Sequence, residues 1–253
     1  MLDISESNIF VMTTPKGDDC MKVLVVGAHP DDIAISCSGT VAKYVAKGDE
    51  VYLCTVSNGC YGHTEICPKE LSVLRIAEDA SMADSLKVKG YHNLNVNDQF
   101  VDSNKISQVN LLVDVLVKVK PDLIITHAPD DSHRDHQETY KLVFRASCAA
   151  SLVFWSSGNT APMCPIYLMD SFALKGFEPT EYVDITPYID DKIKAILCHE
   201  SQDKWMREHD GIALDEFVEK CSAVRGYQCG VKYAEGFKPD TNYGRMGIKR
   251  LLP

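Results

Sequence analysis

Four short apolar runs, at 22–28, 50–56, 91–96 and 122–127, alternate with helical patterns at about 38–47, 70–87 and 104–120. That alternation leaves the chain few folds to choose from. A strand buried on both faces reads as an unbroken apolar stretch, as Lys22-Val23-Leu24-Val25-Val26-Gly27-Ala28 and Leu123-Ile124-Ile125-Thr126 both do. Over 104–120, Ile106, Val109, Leu112, Val113, Leu116 and Val117 recur at the spacing of one buried helix face. Strands and helices taken in turn predict an α/β fold, a Rossmann-like doubly wound and mostly parallel sheet in a single domain. Further along, the pattern predicts a helix over 133–151, a loop at 156–165, and strands at Ile166–Met169 and Tyr182–Ile185. Helices near 187–200 and 212–225 and a last strand over Cys229–Tyr233 complete it. Residues 1–21 read as an N-terminal extension and 22–253 as the domain.

Two clusters of ligand-type residues stand where strands run out. His29-Pro30-Asp31-Asp32 follows the first apolar run, and His133-Arg134-Asp135-His136 follows the fourth. Doubly wound sheets commonly lay strands in the order 3-2-1-4, and the loops after strands 1 and 4 then leave in opposite directions and open a crevice. The topology brings His29, Asp32 and His136 to that crevice across more than a hundred positions of sequence. Two histidines and an aspartate suit Zn²⁺ with a position left for water, although Fe²⁺, Co²⁺ or Mn²⁺ can occupy such a set. Asp31 and Asp32 are adjacent and their side chains diverge, so one can ligate while the other faces a water. That separates Lewis acid from general base, as hydrolysis requires.

Composition narrows the partners. A net charge of −10 disfavours nucleic acid or an anionic membrane, and no apolar run approaches the length of a membrane span. The ten cysteines are scattered singly with no CxxC, a pattern of reduced thiols in a cytoplasmic protein. The opening residues show neither the basic nor the apolar segment of a signal peptide.

These residues resemble the PIG-L/LmbE-type family of zinc-dependent N-deacetylases. Its A-H-P-D-D motif stands here as Ala28 to Asp32, and its H-x-D-H motif as His133 to His136. The likeness extends through Arg75 and Glu78, the run Phe177 to Ile185, Cys198-His199-Glu200-Ser201-Gln202, and Gly230 to Phe237. It implies that His29, Asp32 and His136 hold the metal and that Asp31 is the general base. His133 then stabilises the oxyanion or protonates the leaving amine, and Asp135 orients a histidine. Arg75 and Asp98 are implied to contact substrate. Diacetylchitobiose deacetylases and bacillithiol-pathway deacetylases look most similar, which implies an N-acetylglucosaminyl small-molecule substrate and a homo-oligomer, trimer or hexamer. Where many members carry Glu at 33 or 34, this chain has Ile33 and Ala34. In place of a tyrosine near the C-terminal helix of some bacterial members, it offers Leu214 and Phe217.

Plainer readings compete with these. Asp31 or Asp32 could cap a helix, and Arg75 could only pair with Glu78. Asp98 reads as readily as a turn residue, and His127 as core or as a neighbour of the site rather than a ligand. Cys60, His63 and Cys67 read as a loop over the crevice more readily than as a second zinc site. His199 caps or packs. The rival function is a non-catalytic sugar- or nucleotide-binding protein of the same fold. Against nucleotides, Gly27-Ala28-His29-Pro30 is no G-x-G-x-x-G, and two carboxylates would repel a pyrophosphate.

Overall fold

The computed structural model describes residues 20–155, 158–242 and 250–253; most of the expected N-terminal extension lies outside them. The first half alternates as the apolar runs predict: β1 (Lys22–Gly27), α1 (Asp32–Ser36), α2 (Ser38–Lys47), β2 (Glu50–Ser57), α3 (Pro68–Ser85), β3 (Gly90–Val96), α4 (Ile106–Val119), β4 (Leu123–Thr126) and α5 (Arg134–Ala150). The second half is β5 (Ile166–Met169), β6 (Glu181–Asp184), α6 (Ile189–Leu197), α7 (Glu200–His209), α8 (Leu214–Cys229) and β7 (Ala234–Pro239), with short 3-10 turns at Phe172–Leu174 and Thr186–Tyr188.

The strands form one sheet in the order β3-β2-β1-β4-β5-β7-β6. All are parallel except β7, which runs antiparallel to both β5 and β6. Successive side chains of β1 serve opposite faces, as strand geometry demands. Val23 and Val25 join a core with Val41 and Tyr44 of α2 and Ile196 of α6. Leu24 and Val26 join a second core with Leu112 and Leu116 of α4 and Val143 of α5. Helices therefore cover both faces, and strands buried on both faces need unbroken apolar sequence. No described helix is long and apolar enough to cross a membrane.

Three elements differ from the sequence reading. The segment 187–200 is followed by a separate helix, α7, whose sequence Glu-Ser-Gln-Asp-Lys-Trp-Met-Arg-Glu-His offers just Trp205 and Met206 as apolar residues. The last strand lies at 234–239 rather than 229–233, because α8 continues to Cys229 and stops at Gly230 in the left-handed region (φ 82°). The helix expected at 38–47 stands as α2, and a short helix, α1, precedes it across a break at Cys37 (φ −150°).

β1 and β4 are neighbours, with Val23 opposite Leu123 and Val26 opposite Thr126. Their following loops diverge, one to each face of the sheet. The crevice between them is the switch point at which open α/β sheets bind ligands.

Candidate active site

Asp32 is the hub of the crevice. It is the first residue of α1, and its Oδ2 accepts the His29 amide at 2.6 Å, closing a tight turn over Pro30. His29 Nδ1 stands 3.4 Å from the same oxygen, and His136 Nε2 stands 3.3 Å from Oδ1. The two imidazole centroids are 5.3 Å apart. The structure thus brings His29, Asp32 and His136 together from two strand ends.

The outward nitrogen of each histidine faces a carboxylate. His29 Nε2 lies 3.3 Å from Asp98 and 3.4 Å from Asp135, and His136 Nδ1 lies 3.2 Å from Asp131. Carboxylates placed behind imidazoles in this way are the usual second layer of a histidine metal site. Burial works to lower the His136 pKa, but the charge of Asp32 and the bond to Asp131 outweigh it and push it up to about 9. Burial opposes ionisation of Asp32 as well, yet the neighbouring histidines hold its pKa well below the usual carboxylate value. An anion surrounded by imidazoles at these distances is a donor set suited to a divalent cation. Ligand atoms cluster within 4.8 Å in the groups His29/His133/His136, Asp32/His127/His136 and His29/Asp98/Asp135, each of which holds one or two of His29, Asp32 and His136 rather than all three.

His127 packs against this set without joining it. Its ring stacks on His136 at 3.9 Å, and its Nε2 accepts the Ala28 amide at 3.0 Å. Burial and the charge of His136 push its pKa down to about 4. With that lone pair on an amide, the neutral ring has no Nε2 electrons to offer an ion, although this nitrogen is 3.2 Å from Asp32.

Asp31 faces the other way. Its backbone adopts φ 106°, a left-handed conformation that a residue with a Cβ holds only at a cost of about 1–3 kcal/mol. Arg75 Nη2 donates to its carboxylate at 2.8 Å and to the Pro30 carbonyl at 2.5 Å, while Nη1 donates to Gly59 O at 3.1 Å. Burial raises the Asp31 pKa more than Arg75 lowers it, leaving it at about 6. Arg75 is 3% exposed and lies in a slot lined by glycines. A Cβ on Gly59 would come within 2.6 Å of the guanidinium, and one on Gly62 would collide with Nη1.

His133 caps α5. Its Nδ1 accepts the Asp135 amide at 3.2 Å, which puts the proton of the neutral ring on Nε2. Burial together with the charges of His29 and His136 lowers its pKa, so the ring is neutral near pH 7. It lines the cleft with His29, Asp31, Asp32 and His136.

Arg75 and Asp98, expected to contact substrate, line the same cleft but are engaged with protein. Asp98 accepts from the Gln99 side chain and the Tyr61 amide in addition to facing His29. Asp135 is fully buried and faces His29 across the crevice. Asp131 escaped the sequence reading. It sits in the loop Pro129-Asp130-Asp131-Ser132 and accepts the His133 amide at 2.8 Å, folding back on the helix that carries His136. A carboxylate two residues before the H-x-D-H run was the available signal. His199 is buried, but neither ring nitrogen has a partner, and burial pushes its pKa down to about 3. His63 Nδ1 accepts two amides of its own loop, and Cys60, His63 and Cys67 form no ligand cluster among the described residues.

A doubly wound sheet with histidine and aspartate donors converging at its switch point defines an α/β protein with a metal-competent site. Residues 24–147, which include every His and Asp of the crevice, match the family described as "PIG-L: GlcNAc-PI de-N-acetylase". Diacetylchitobiose deacetylase of Thermococcus kodakarensis is 28% identical over 87% of this chain and 84% of its own. A 1D-myo-inositol 2-acetamido-2-deoxy-alpha-D-glucopyranoside deacetylase of Mycobacterium sp. (strain KMS) is 27% identical over 70% and 68%. The solved N,N'-diacetylchitobiose deacetylase of Pyrococcus horikoshii superposes with a TM-score of 0.75, at 28% identity over 88% of this chain and 84% of that one.

Proposed function

We propose that this chain is a zinc-dependent N-deacetylase that removes the acetyl group from an N-acetylglucosaminyl small molecule. The observation that carries the reading is the pairing of a donor set around Asp32 with a second, separately held carboxylate, Asp31. The named activities of the relatives support the substrate class. His29, Asp32 and His136 would hold the ion, with His29 and His136 turned inward by Asp98, Asp135 and Asp131. A bound Zn²⁺ supplies Lewis acidity, polarising a carbonyl and bringing the pKa of a water to about 7.

The chain's own residues do the rest. Asp31, held by Arg75 and with a pKa near 6, is ionised at neutral pH and takes the proton of the attacking water. The water oxygen bonds to the acetyl carbon, and the neutral Nε2–H of His133 donates to the developing oxyanion. As the C–N bond breaks, the proton held by Asp31 passes to the departing nitrogen, giving acetate and a free amine. Ten unpaired thiols, none in a disulfide, suit a reducing cytoplasmic compartment.

Acetate release and metal content, measured together, test the reading. Asp31→Asn is expected to lose roughly 10²–10⁴-fold in kcat and to keep its zinc by elemental analysis. His29→Ala is expected to lose both. Undiminished acetate release from Asp31→Asn would remove the mechanism.

A further inference from the structure

The run Cys198-His199-Glu200-Ser201-Gln202 supplies none of the crevice's histidine and aspartate donors, yet it stands behind Asp31. Arg75 and Glu78 lie three residues apart on α3, a spacing at which they could simply pair with each other. Both Glu78 oxygens are taken by α7 instead: Oε1 accepts the Ser201 amide and Oε2 the Ser201 hydroxyl, each at 2.7 Å. Arg75 is left to serve Asp31, Pro30 and Gly59. Ser201 is the second residue of α7, so its amide has no acceptor within its own helix. A buried carboxylate from α3 supplies the missing partner at the positive end of the helix dipole.

The next residue, Gln202, is buried as well and donates its Nε2 to Gly62 O at 3.0 Å. Gly62 closes the turn that walls the Arg75 slot. Its amide donates to Gly59 O at 3.2 Å, and the same oxygen accepts Arg75 Nη1. One face of the turn therefore touches the guanidinium, and the other is tied to α7. His199, just ahead of α7, is fully buried and near enough for the Arg75 charge to help keep its ring neutral. The slot thus has no second cation competing with Arg75 for Asp31.

This slot has little slack. Neither Gly59 nor Gly62 could carry a Cβ without striking the guanidinium. Asp31 is itself held at φ 106°, a conformation that persists only where the surroundings enforce it. Arg75 is the restraint on that carboxylate, and it is only as fixed as its slot.

Resting on the deacetylase reading above, we propose that Glu78 and Gln202 are positioning residues: through α7 and the Gly59–Gly62 turn they hold Arg75 in place and so aim the Asp31 carboxylate. Gln202 also lines the cleft, so a direct contact with substrate is the rival that the test separates.

Acetate release by the zinc-loaded protein is followed with N-acetylglucosamine and N,N'-diacetylchitobiose, alongside zinc content and melting temperature. Gln202→Ala and Glu78→Ala should each lower kcat about 10–10²-fold, the scale of a small misplacement of a reacting group, with KM little changed and zinc retained. Glu78→Gln, whose amide can still accept the Ser201 N–H and meet its hydroxyl, should restore kcat. In an Asp31→Asn background Gln202→Ala should cause no further loss, because the group it aims is gone. A guanidinium pinned on three acceptors gives resolved, slowly exchanging Nη–H signals in heteronuclear NMR. Those of Arg75 should broaden in both alanine variants and persist in Glu78→Gln. A raised KM at unchanged kcat, a further loss in Asp31→Asn, or Arg75 signals unmoved by Gln202→Ala overturns the proposal. No acetate from either sugar with the unaltered protein overturns the deacetylase reading, and the Arg75 signals alone then uphold or overturn the positioning role.

Discussion

Asp79 carries the clearest pH signature of any single described residue outside the His/Asp cluster of the crevice. It is fully buried on α3, and its Oδ2 accepts both the Thr55 hydroxyl at 2.6 Å and the Tyr91 hydroxyl at 2.8 Å. Oδ1 has no partner. Burial is the main cause that pushes its pKa up to about 7, against the two hydroxyl bonds. The folded state thus holds a proton that the unfolded state releases near pH 4, so stability falls as pH rises from about 4 to about 7 and is level above that. At ~1.4 kcal/mol per pKa unit the loss is on the order of 3–4 kcal/mol across that window. Asp79→Asn keeps the acceptor for Thr55 and Tyr91 and removes the titration. Urea unfolding at pH 5 and pH 8 should show the variant gaining on the natural protein at the higher pH; an unchanged pH slope would sink the assignment. The crevice histidines His29 and His136 and Asp32 were legible in sequence because their type and their place at strand ends are unusual for packing. Asp131 was not, because its place two residues before the H-x-D-H run marks a carboxylate but not its partner, and the approach to His136 depends on a loop folding back.

At the scale of elements, the break between α1 and α2 is what lets the strand-end loop deliver Asp31 and Asp32 while the chain continues as a helix. One buried ion pair secures it. Glu235 of β7 accepts the amides of Gly39 and Thr40 at the start of α2, and Lys192 of α6 reaches it at 2.5 Å while donating to Ile35 O of α1. Both side chains are buried. Lys192→Met should cost on the order of 3–5 kcal/mol in urea unfolding, because it strands the Glu235 charge. Lys192→Met combined with Glu235→Gln should recover part of that loss. A double variant as costly as the sum of two single ones would mean that the pair is not coupled. No sequence pattern announced this contact: Lys192 falls in a helix with ordinary charged neighbours, and Glu235 in a strand placed several residues too early. The parallel strands were legible because burial on both faces forces apolar runs. The polar helix α7 and the antiparallel β7 were not, since one has only Trp205 and Met206 as apolar residues and the other begins only after a helix stops at Gly230.

For the molecule as a whole, the site joins two distant parts of one chain. His29 follows β1 and His136 lies in α5 after β4, and only the folded sheet sets those strands side by side. An ion held there stabilises the native state by at most RT ln(1 + [L]/Kd), about 2.7 kcal/mol at a hundredfold excess over Kd, less whatever the thiols and imidazoles of the unfolded chain bind. For a chain of 253 residues, a change of that size moves Tm by roughly 5–10 °C. Adding zinc to chelator-treated protein should therefore raise the melting temperature by that much in a calorimetric scan, with an increment that grows with free zinc. His29→Ala and His136→Ala should each abolish the increment, although they alter different halves of the sheet. If either variant kept the full zinc-dependent shift, the ion would lie elsewhere, for example among the exposed thiols. Loss of the shift from both ends of a separation of more than a hundred residues is what a shared site, and nothing local to β1 or α5, requires.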